Sequence, residues 1–491
     1  EYLDDQGEWR NSDTTINWNV AVQKNAAGAH DPSSGPFAGM KLGYHNTIDG
    51  LGSKWGADTT IRRFSTNSHN WYGGISKIKI DSENFRYEVG IDLRSYKAYH
   101  RRGPETLFGL DGYISTINDF NFSGNGDRIG TVITDTYEAT PFKKMGWDNP
   151  NGSQRYYIGY VDWTGFNGLM EYTGSDKFSA VLQAGTSSQK YQWEGFYTAA
   201  PITKSRIITV NGGYIKGGAN YRANDNSNFF FNVGQIMRPP SFDGVFPNAD
   251  YDAEEADEIL NESFTSFELG YGFRSSNFKG TINAYHTVWG DRTLRRSTSI
   301  DDQGVRIIYS GVEQTHQCIE GEMTWYPSSR LRVKGMVSLG DWKYTKNFQG
   351  DAYFIDNNQP AGTTGTLYLD GVKIGDAAQT VLYLGFDYKV SSKLSVDLDM
   401  MSYDNLHGRF GPLDSEFNSE NNRGSIKLPS WGTADLGATY SFNLLGYDAR
   451  ARLNVNNLFD EEYYTSADLF DSVVVKPSEG RTFSFMLSYD F

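Results

Sequence analysis

The stretch Phe85-Arg-Tyr-Glu-Val-Gly-Ile-Asp-Leu-Arg94 alternates without a break. Successive side chains of an extended chain point to opposite sides. Phe85, Tyr87, Val89, Ile91 and Leu93 therefore share one face, and Arg86, Glu88, Gly90, Asp92 and Arg94 share the other. One such strand also suits a soluble sandwich, whose polar face meets bulk water. Repetition separates the two readings. Phe267, Leu269, Tyr271 and Phe273 alternate with Glu268, Gly270, Gly272 and Arg274. Leu394, Val396, Leu398 and Met400 alternate with Ser395, Asp397 and Asp399. Ala434, Leu436, Ala438, Tyr440 and Phe442 alternate with Asp435, Gly437, Thr439 and Ser441, and Leu453 and Val455 with Arg452, Asn454 and Asn456. A continuously apolar face opposite a continuously polar one means lipid outside and water inside, as in a transmembrane antiparallel β-barrel.

Composition agrees. The chain has 491 residues, and its mean hydropathy, −0.55, is that of a water-soluble protein. No run of about 18 apolar residues occurs, which excludes a helical span, whereas alternating strands escape that test. Aromatics reach 15%, with 32 Tyr, and Tyr and Trp suit membrane interfaces. Glycine is abundant at 53 and proline scarce at 14, as strands joined by tight turns require. The net charge of −15 argues against nucleic acid as a partner. The single Cys318 rules out an intrachain disulfide and reads as a small buried or lipid-facing residue. Glu1-Tyr-Leu-Asp4 has no signal-peptide pattern, so the chain reads as a mature or truncated product.

The connections sort into two kinds. Short turns fall at 81–84, 174–177, 223–227, 275–277, 327–330, 391–393 and 443–447. Long polar segments fall at 101–155, 239–262, 346–370, 405–428 and 460–479. Bacterial barrels keep short turns on the periplasmic side and long loops outside. Seven hairpins and a last strand give about fifteen strands, an odd number where a single-chain barrel closes with an even one. A complete barrel of about 22 strands would lack about seven of them upstream. Residues 1–70 then read as an extracellular loop before the first strand, near Trp71 to Ile80, and 71–491 as the C-terminal barrel, its C-terminus periplasmic.

The segment Ala451-Arg-Leu-Asn-Val-Asn-Asn-Leu-Phe-Asp-Glu-Glu-Tyr-Tyr464 resembles the penultimate-strand signature of TonB-dependent receptors. Met237-Arg-Pro-Pro240 is similar to that family's Arg-x-Pro strand end, and Ser266-Phe-Glu-Leu-Gly-Tyr-Gly-Phe273, after Glu262, to its Glu-Leu-Gly strand. The stretch from Gly90 to Arg102 looks like a subgroup with very large extracellular loops. Phe483, Phe485, Leu487, Tyr489 and the terminal Phe491 share one face and resemble the signal read by the barrel assembly machinery. The resemblance implies an outer-membrane importer of bulky, scarce solutes: glycans, metal chelates, cobalamin or peptides. It also implies an N-terminal plug whose TonB box is pulled by an inner-membrane motor complex. No plug or TonB box is recognisable in this chain, so coupling is carried by the family alone. Two other readings are a barrel capped by a surface lipoprotein and a structural barrel within an envelope assembly.

Strand parity points to site residues. Val333, Val337 and Leu339 face lipid, so Trp342 and Tyr344 face the lumen near the extracellular rim. The same counting places Tyr96 and His100, and Tyr403 and Asn405, at similar height. Aromatic and amide groups there would stack on and hydrogen-bond a solute, or else belong to the interfacial belt or pack against loops. Asp250, Asp252, Glu254, Glu255, Asp257 and Glu258 form an acidic run without calcium-loop spacing, and read as a solvated charge run. Arg101 and Arg102 would grip an anion or sit among headgroups. The seven His are scattered, and no phosphate loop, nucleophile elbow or Cys/His arrangement stands out. No cofactor, catalytic residue or metal site is expected, and no enzymatic activity.

Overall fold

The computed structural model describes residues 11, 15–29, 38–43, 59–115, 131–136, 155–196, 204–246, 249, 253, 255–256, 258–300, 303–354, 360–410, 415–469 and 473–490. Among these residues fifteen long strands pair antiparallel in chain order. The first seven are β1 (Arg62–Asp81), β2 (Phe85–Thr106), β3 (Arg155–Tyr172), β4 (Phe178–Gly195), β5 (Ile208–Asn224), β6 (Ser227–Arg238) and β7 (Glu262–Arg274). The next four are β8 (Phe278–Ile300), β9 (Gln303–Ser328), β10 (Leu331–Tyr344) and β11 (Thr380–Lys389). β12 (Leu394–Asp404), β13 (Trp431–Leu444), β14 (Tyr447–Asn456) and β15 (Thr482–Asp490) complete the wall. Among the described residues β1 pairs only with β2, and β15 only with β14, so the strands form a continuous arc of barrel wall. No described helix is long and apolar enough to cross a membrane.

All seven short turns sit at one end of this arc, as their sequences require. Between β13 and β14, Leu445 and Gly446 both take left-handed backbone, φ +53° and +90°. Two such residues in a row match the twist of a two-residue hairpin. The Asn443 side chain closes the turn by accepting the Gly446 N–H at 3.0 Å.

Register fixes the two faces. Phe267 pairs with His286, and Glu268 with Tyr285, so alternation carries from strand to strand. Leu269, Ile282 and Phe485 are 62, 53 and 68% exposed. Among the described residues nothing packs on this greasy face, which speaks against the sandwich reading and leaves acyl chains as its cover. The opposite face carries charge. Arg452 grips Asp397 with two bonds of 2.8 and 2.9 Å, Arg332 binds Asp387 at 2.9 Å, and Lys334 reaches Asp399 at 3.2 Å. Cys318 lies on this inner face, buried, its Sγ 3.2 Å from Ser338 Oγ.

The long-loop end is itself folded. β8 and β9 run on past a bulge at Trp289–Arg292, where Asp291 has φ +57°. The upper part of β9 then pairs with the strand Phe348–Phe354, which pairs with Pro360–Leu367. Val305, Tyr309, Val312, Phe348, Leu367 and Leu369 are buried there as a small core. At the other edge the helix Trp18–Gly28 docks through buried Asn25, whose Nδ2 donates to the carbonyls of Thr60 (2.7 Å) and Leu107 (3.2 Å).

Candidate functional site in the mouth of the lumen

The inner face changes character toward the long-loop end. On β3–β5 the register row from His100 runs through Tyr157, and the row from Tyr96 through Val161, Tyr191 and Ile208. These inward positions are apolar where a wet wall calls for polar groups. The segment between β6 and β7 explains them. Its turn of helix, Phe242–Val245, with Phe246 and Ala249, packs on Tyr157, Tyr191, Trp193 and Ile208. Trp193 is fully buried, and its Nε1 donates to the Ala249 carbonyl at 2.8 Å. Tyr191 Oη donates to the Pro240 carbonyl at 2.9 Å, and Arg206 grips Glu255. The loop therefore lies on the inner wall and covers this arc of the mouth. Of the acidic run, Glu255 makes this ion pair, Glu258 is described, and Asp250, Asp252, Glu254 and Asp257 lie outside the described residues.

Tyr96 and His100 flank that covered arc. Tyr96 sits 5.6 Å from the His69 ring, while His100 stacks on Tyr157 at 4.5 Å and hydrogen-bonds Asn67 at 2.9 Å. Arg101 points the other way, buried against the rings of Phe64 (5.9 Å) and Tyr156 (6.0 Å).

Across β7–β10 the inner wall carries aromatic rings capped by cations. Phe264 stacks on Trp289 at 5.1 Å. Arg238 lies over both, at 5.2 and 5.9 Å, and pairs with Glu262. Arg292 covers Trp289 at 4.1 Å. Trp342 faces the lumen beside His316, 5.8 Å between rings. Tyr344, two residues on, is 5% exposed and belongs to the small core above the wall. It packs under the loops, one of the roles open to it from sequence, because the chain after β10 folds back over it: Tyr344 N donates to the Val372 carbonyl at 3.0 Å.

β12 and β13 bring a third group together. Tyr403 stacks on Trp431 at 4.1 Å, and Trp431 on Tyr463 at 3.8 Å. Asn405 has φ +53°, and its Nδ2 donates to Thr380 Oγ1 at 3.1 Å. Buried Gln379 ties these elements: its side chain closes both ways on the backbone of Trp342 (2.9 and 3.0 Å), and its N–H donates to the Asn405 carbonyl. Trp342, Tyr403 and Asn405 thus share one framework, with Tyr96 and His100 on a separate arc. Sequence reading missed Gln379, Tyr463, Trp193 and the Arg238–Trp289 group. Trp431 was within reach, since it shares parity with Asp435. Phe483, Phe485, Leu487 and Tyr489 alternate outward on β15, and Phe491 lies outside the described residues.

Above β10–β12 a polar cleft of about 510 Å³ opens among loop residues including Asp370, Lys373, His407, Glu420 and Asn422. Burial pushes His407 below its usual range, and its Nδ1 lies 3.1 Å from Ser425 Oγ. No group of three or more His, Cys, Asp or Glu that could hold a metal ion occurs among the described residues.

Comparison with solved structures finds the same fold at low identity. The siderophore receptor PiuA from Acinetobacter baumannii superposes with a TM-score of 0.57 at 14% identity, covering 86% of this chain and 56% of its own. The ferric preacinetobactin receptor BauA from the same organism gives 0.52 at 13%, covering 88% and 57%. The copper transporter OprC gives 0.55 at 12%, covering 87% and 58%. The chain thus spans a little over half the length of these structures. No curated protein sequence matches it. A family model described as TonB dependent receptor-like, beta-barrel matches residues 1–458. With that match on an outward-greasy, inward-polar wall of fifteen strands, the chain belongs to the TonB-dependent receptor β-barrel family of the outer membrane.

Proposed function

We propose that this chain is the membrane-spanning wall of a TonB-dependent importer. In this reading the long loops are extracellular and the C-terminus periplasmic. A bulky solute binds at the mouth and is moved inward through a plug drawn by the TonB motor complex. The observation that carries the reading is the set of aromatic rings, several of them beside cations, on the inner wall at the long-loop end. Trp342, Tyr403, Tyr96 and His100 face the lumen there, joined by Trp289, Arg238 and Trp431. A purely structural barrel has no use for rings turned toward water, whereas a solute gains stacking and hydrogen bonds from them. Tyr344 and Asn405 act as supports, since Tyr344 is buried under the loops and Asn405 is tied to Thr380 at the start of β11. Outer-membrane lipid, the barrel assembly machinery and a surface lipoprotein are the further partners of this reading.

The test is uptake by cells producing the whole receptor, with and without TonB. Labelled oligosaccharides, metal chelates and short peptides are offered in turn. At least one class should accumulate only with TonB, and less with Trp342→Ala or Trp431→Ala. Receptor-dependent accumulation that ignores TonB, or none for any class, refutes the reading.

A further inference from the structure

We infer that the cleft between the start of the helix Trp18–Gly28 and the upper end of β1 binds an oxyanion (a carboxylate, phosphate or sulfate) of the incoming solute, through Arg63 and Arg102. The inference deepens the importer reading and rests on it. The cleft has a volume of about 440 Å³, and Trp18, Thr60, Arg62, Arg63, Ser65 and Arg102 are among the residues that line it. Small-ligand sites run from about 300 to about 1,000 Å³, so it has room for a charged group and its immediate surroundings.

Register places the two arginines. Asn67 pairs with lumen-facing His100, Ser65 with Arg102 in the next row of the same parity, and Arg63 with Pro104 in the row beyond. Arg63 and Arg102 are therefore diagonal neighbours on the face that carries His100. Such neighbours stand about 7–8 Å apart, within reach of long side chains. Arg101, by contrast, faces away. The helix bounds the far side of the cleft, because buried Asn25 fixes it to the end of β1. Asn25 Nδ2 donates to the Thr60 carbonyl and its Oδ1 accepts the Thr60 N–H, both at 2.7 Å.

The charges point to an anion. Among the described residues the lining holds three guanidinium groups and no carboxylate. A bulge between Arg62 and Arg63 leaves Glu105 out of register on β2, and its carboxylate takes Arg62 at 2.7 and 3.1 Å. Arg63 is exposed and makes no ion pair among the described residues. Like charges side by side on one face of a sheet repel. An oxyanion between Arg63 and Arg102 replaces that repulsion with charge-assisted hydrogen bonds, which the guanidinium fork makes in pairs. The helix adds its positive end to the same field, since its first turn carries no acidic residue. Ring stacking contributes nothing here. Phe108 stacks on Trp18 at 5.1 Å and Arg62 lies over the Trp18 ring at 5.8 Å, so both partners of that ring come from the chain itself. The cleft therefore selects charge.

The test is arginine footprinting of the full chain with phenylglyoxal, in a polyoxyethylene detergent and at an ionic strength held constant with sodium chloride. Mass spectrometry reads the rate at each arginine. Citrate, phosphate and sulfate are the probes, and glucose is the neutral comparison. At least one oxyanion should slow modification of Arg63 several-fold, with glucose inert and with exposed Arg330, on the turn between β9 and β10, unaffected. Arg102→Met should raise the half-protecting concentration about tenfold, as loss of a charge-assisted bond implies, and Arg102→Lys less. Lys190→Met, on the outer face of β4, should change nothing. All variants should keep the heat-dependent gel mobility of a folded barrel. Four results overturn the inference: Arg63 inert from the start, no protection by any oxyanion, equal protection by glucose or at Arg330, or protection indifferent to Arg102→Met. Arg102-dependent protection without TonB-dependent uptake would sink the importer reading and spare the cleft. Uptake without protection would do the reverse.

Discussion

Replacing Leu398 with Arg places a charge near the middle of the membrane-crossing stretch. β12 runs eleven residues from Leu394 to Asp404, about the 9–11 needed to cross the bilayer, so Leu398 lies close to the midplane. Its neighbours across the sheet, Phe386 and Leu436, are equally apolar and offer no counter-charge. An outward Arg at that depth costs about 2–4 kcal/mol, and its long side chain recovers part by reaching toward the headgroups. The folded-to-unfolded ratio should fall roughly 30- to 700-fold. Thr433→Arg is the control, because Thr433 pairs with Met401 on the inner, polar face. Guanidinium titration in phospholipid vesicles, followed by tryptophan fluorescence, measures both. Leu398→Arg should lower the unfolding midpoint strongly, as should Leu436→Arg, while Thr433→Arg shifts it little. Equal shifts at Leu398 and Thr433 would refute the assignment of faces, whatever the family.

The other predictions concern the inner wall and the loops. Arg452→Met should leave Asp397 facing Asp399 and Asp387 without its guanidinium and destabilise by about 1–3 kcal/mol. Arg452→Met with Asp397→Leu should be milder than the single change, a cycle readable by the same titration. Trp193→Ala should cost about 3–5 kcal/mol locally and release the 239–262 segment, seen as faster proteolysis there with the barrel intact. Undiminished protection would show that the loop is held by something else. His407 has a folded pKa lowered chiefly by burial, so the unfolded loop binds the extra proton. Its contribution is present above about pH 6.5, the unfolded value, and is lost as pH falls from there through the lower folded value. Protection of the Gly408 and Leu428 amides against exchange, relative to the free-peptide rate at each pH, should fall on acidification, since their N–H groups bond the Ile426 and Leu406 carbonyls, and should lose that dependence in His407→Gln.

Much of the wall was legible in the sequence because its determinants are local. A period of two, a turn of Asn and Gly, and a run of aromatics on one face are fixed by neighbouring residues. They led to about fifteen strands, to the seven turns, and to the inward parity of Trp342 and Tyr403. Parity, however, gives only a direction. It could not say that Tyr344 would be roofed over while Trp342 stays beside the lumen, nor that Gln379 would clamp Trp342 and Asn405. The apolar inward positions at Tyr157, Tyr191 and Trp193 break the polar-lumen rule, and only the folded-in loop from β6 to β7 accounts for them.

The sequence by itself determined a two-faced sheet of barrel strands, because alternation and turn chemistry act over a few residues and survive any tertiary arrangement. Only the tertiary structure decided which lumen-facing side chains stay accessible. That depends on contacts such as Trp193 with Ala249 or Trp431 with Tyr463, between residues far apart along the chain, where burial and not periodicity sets the outcome.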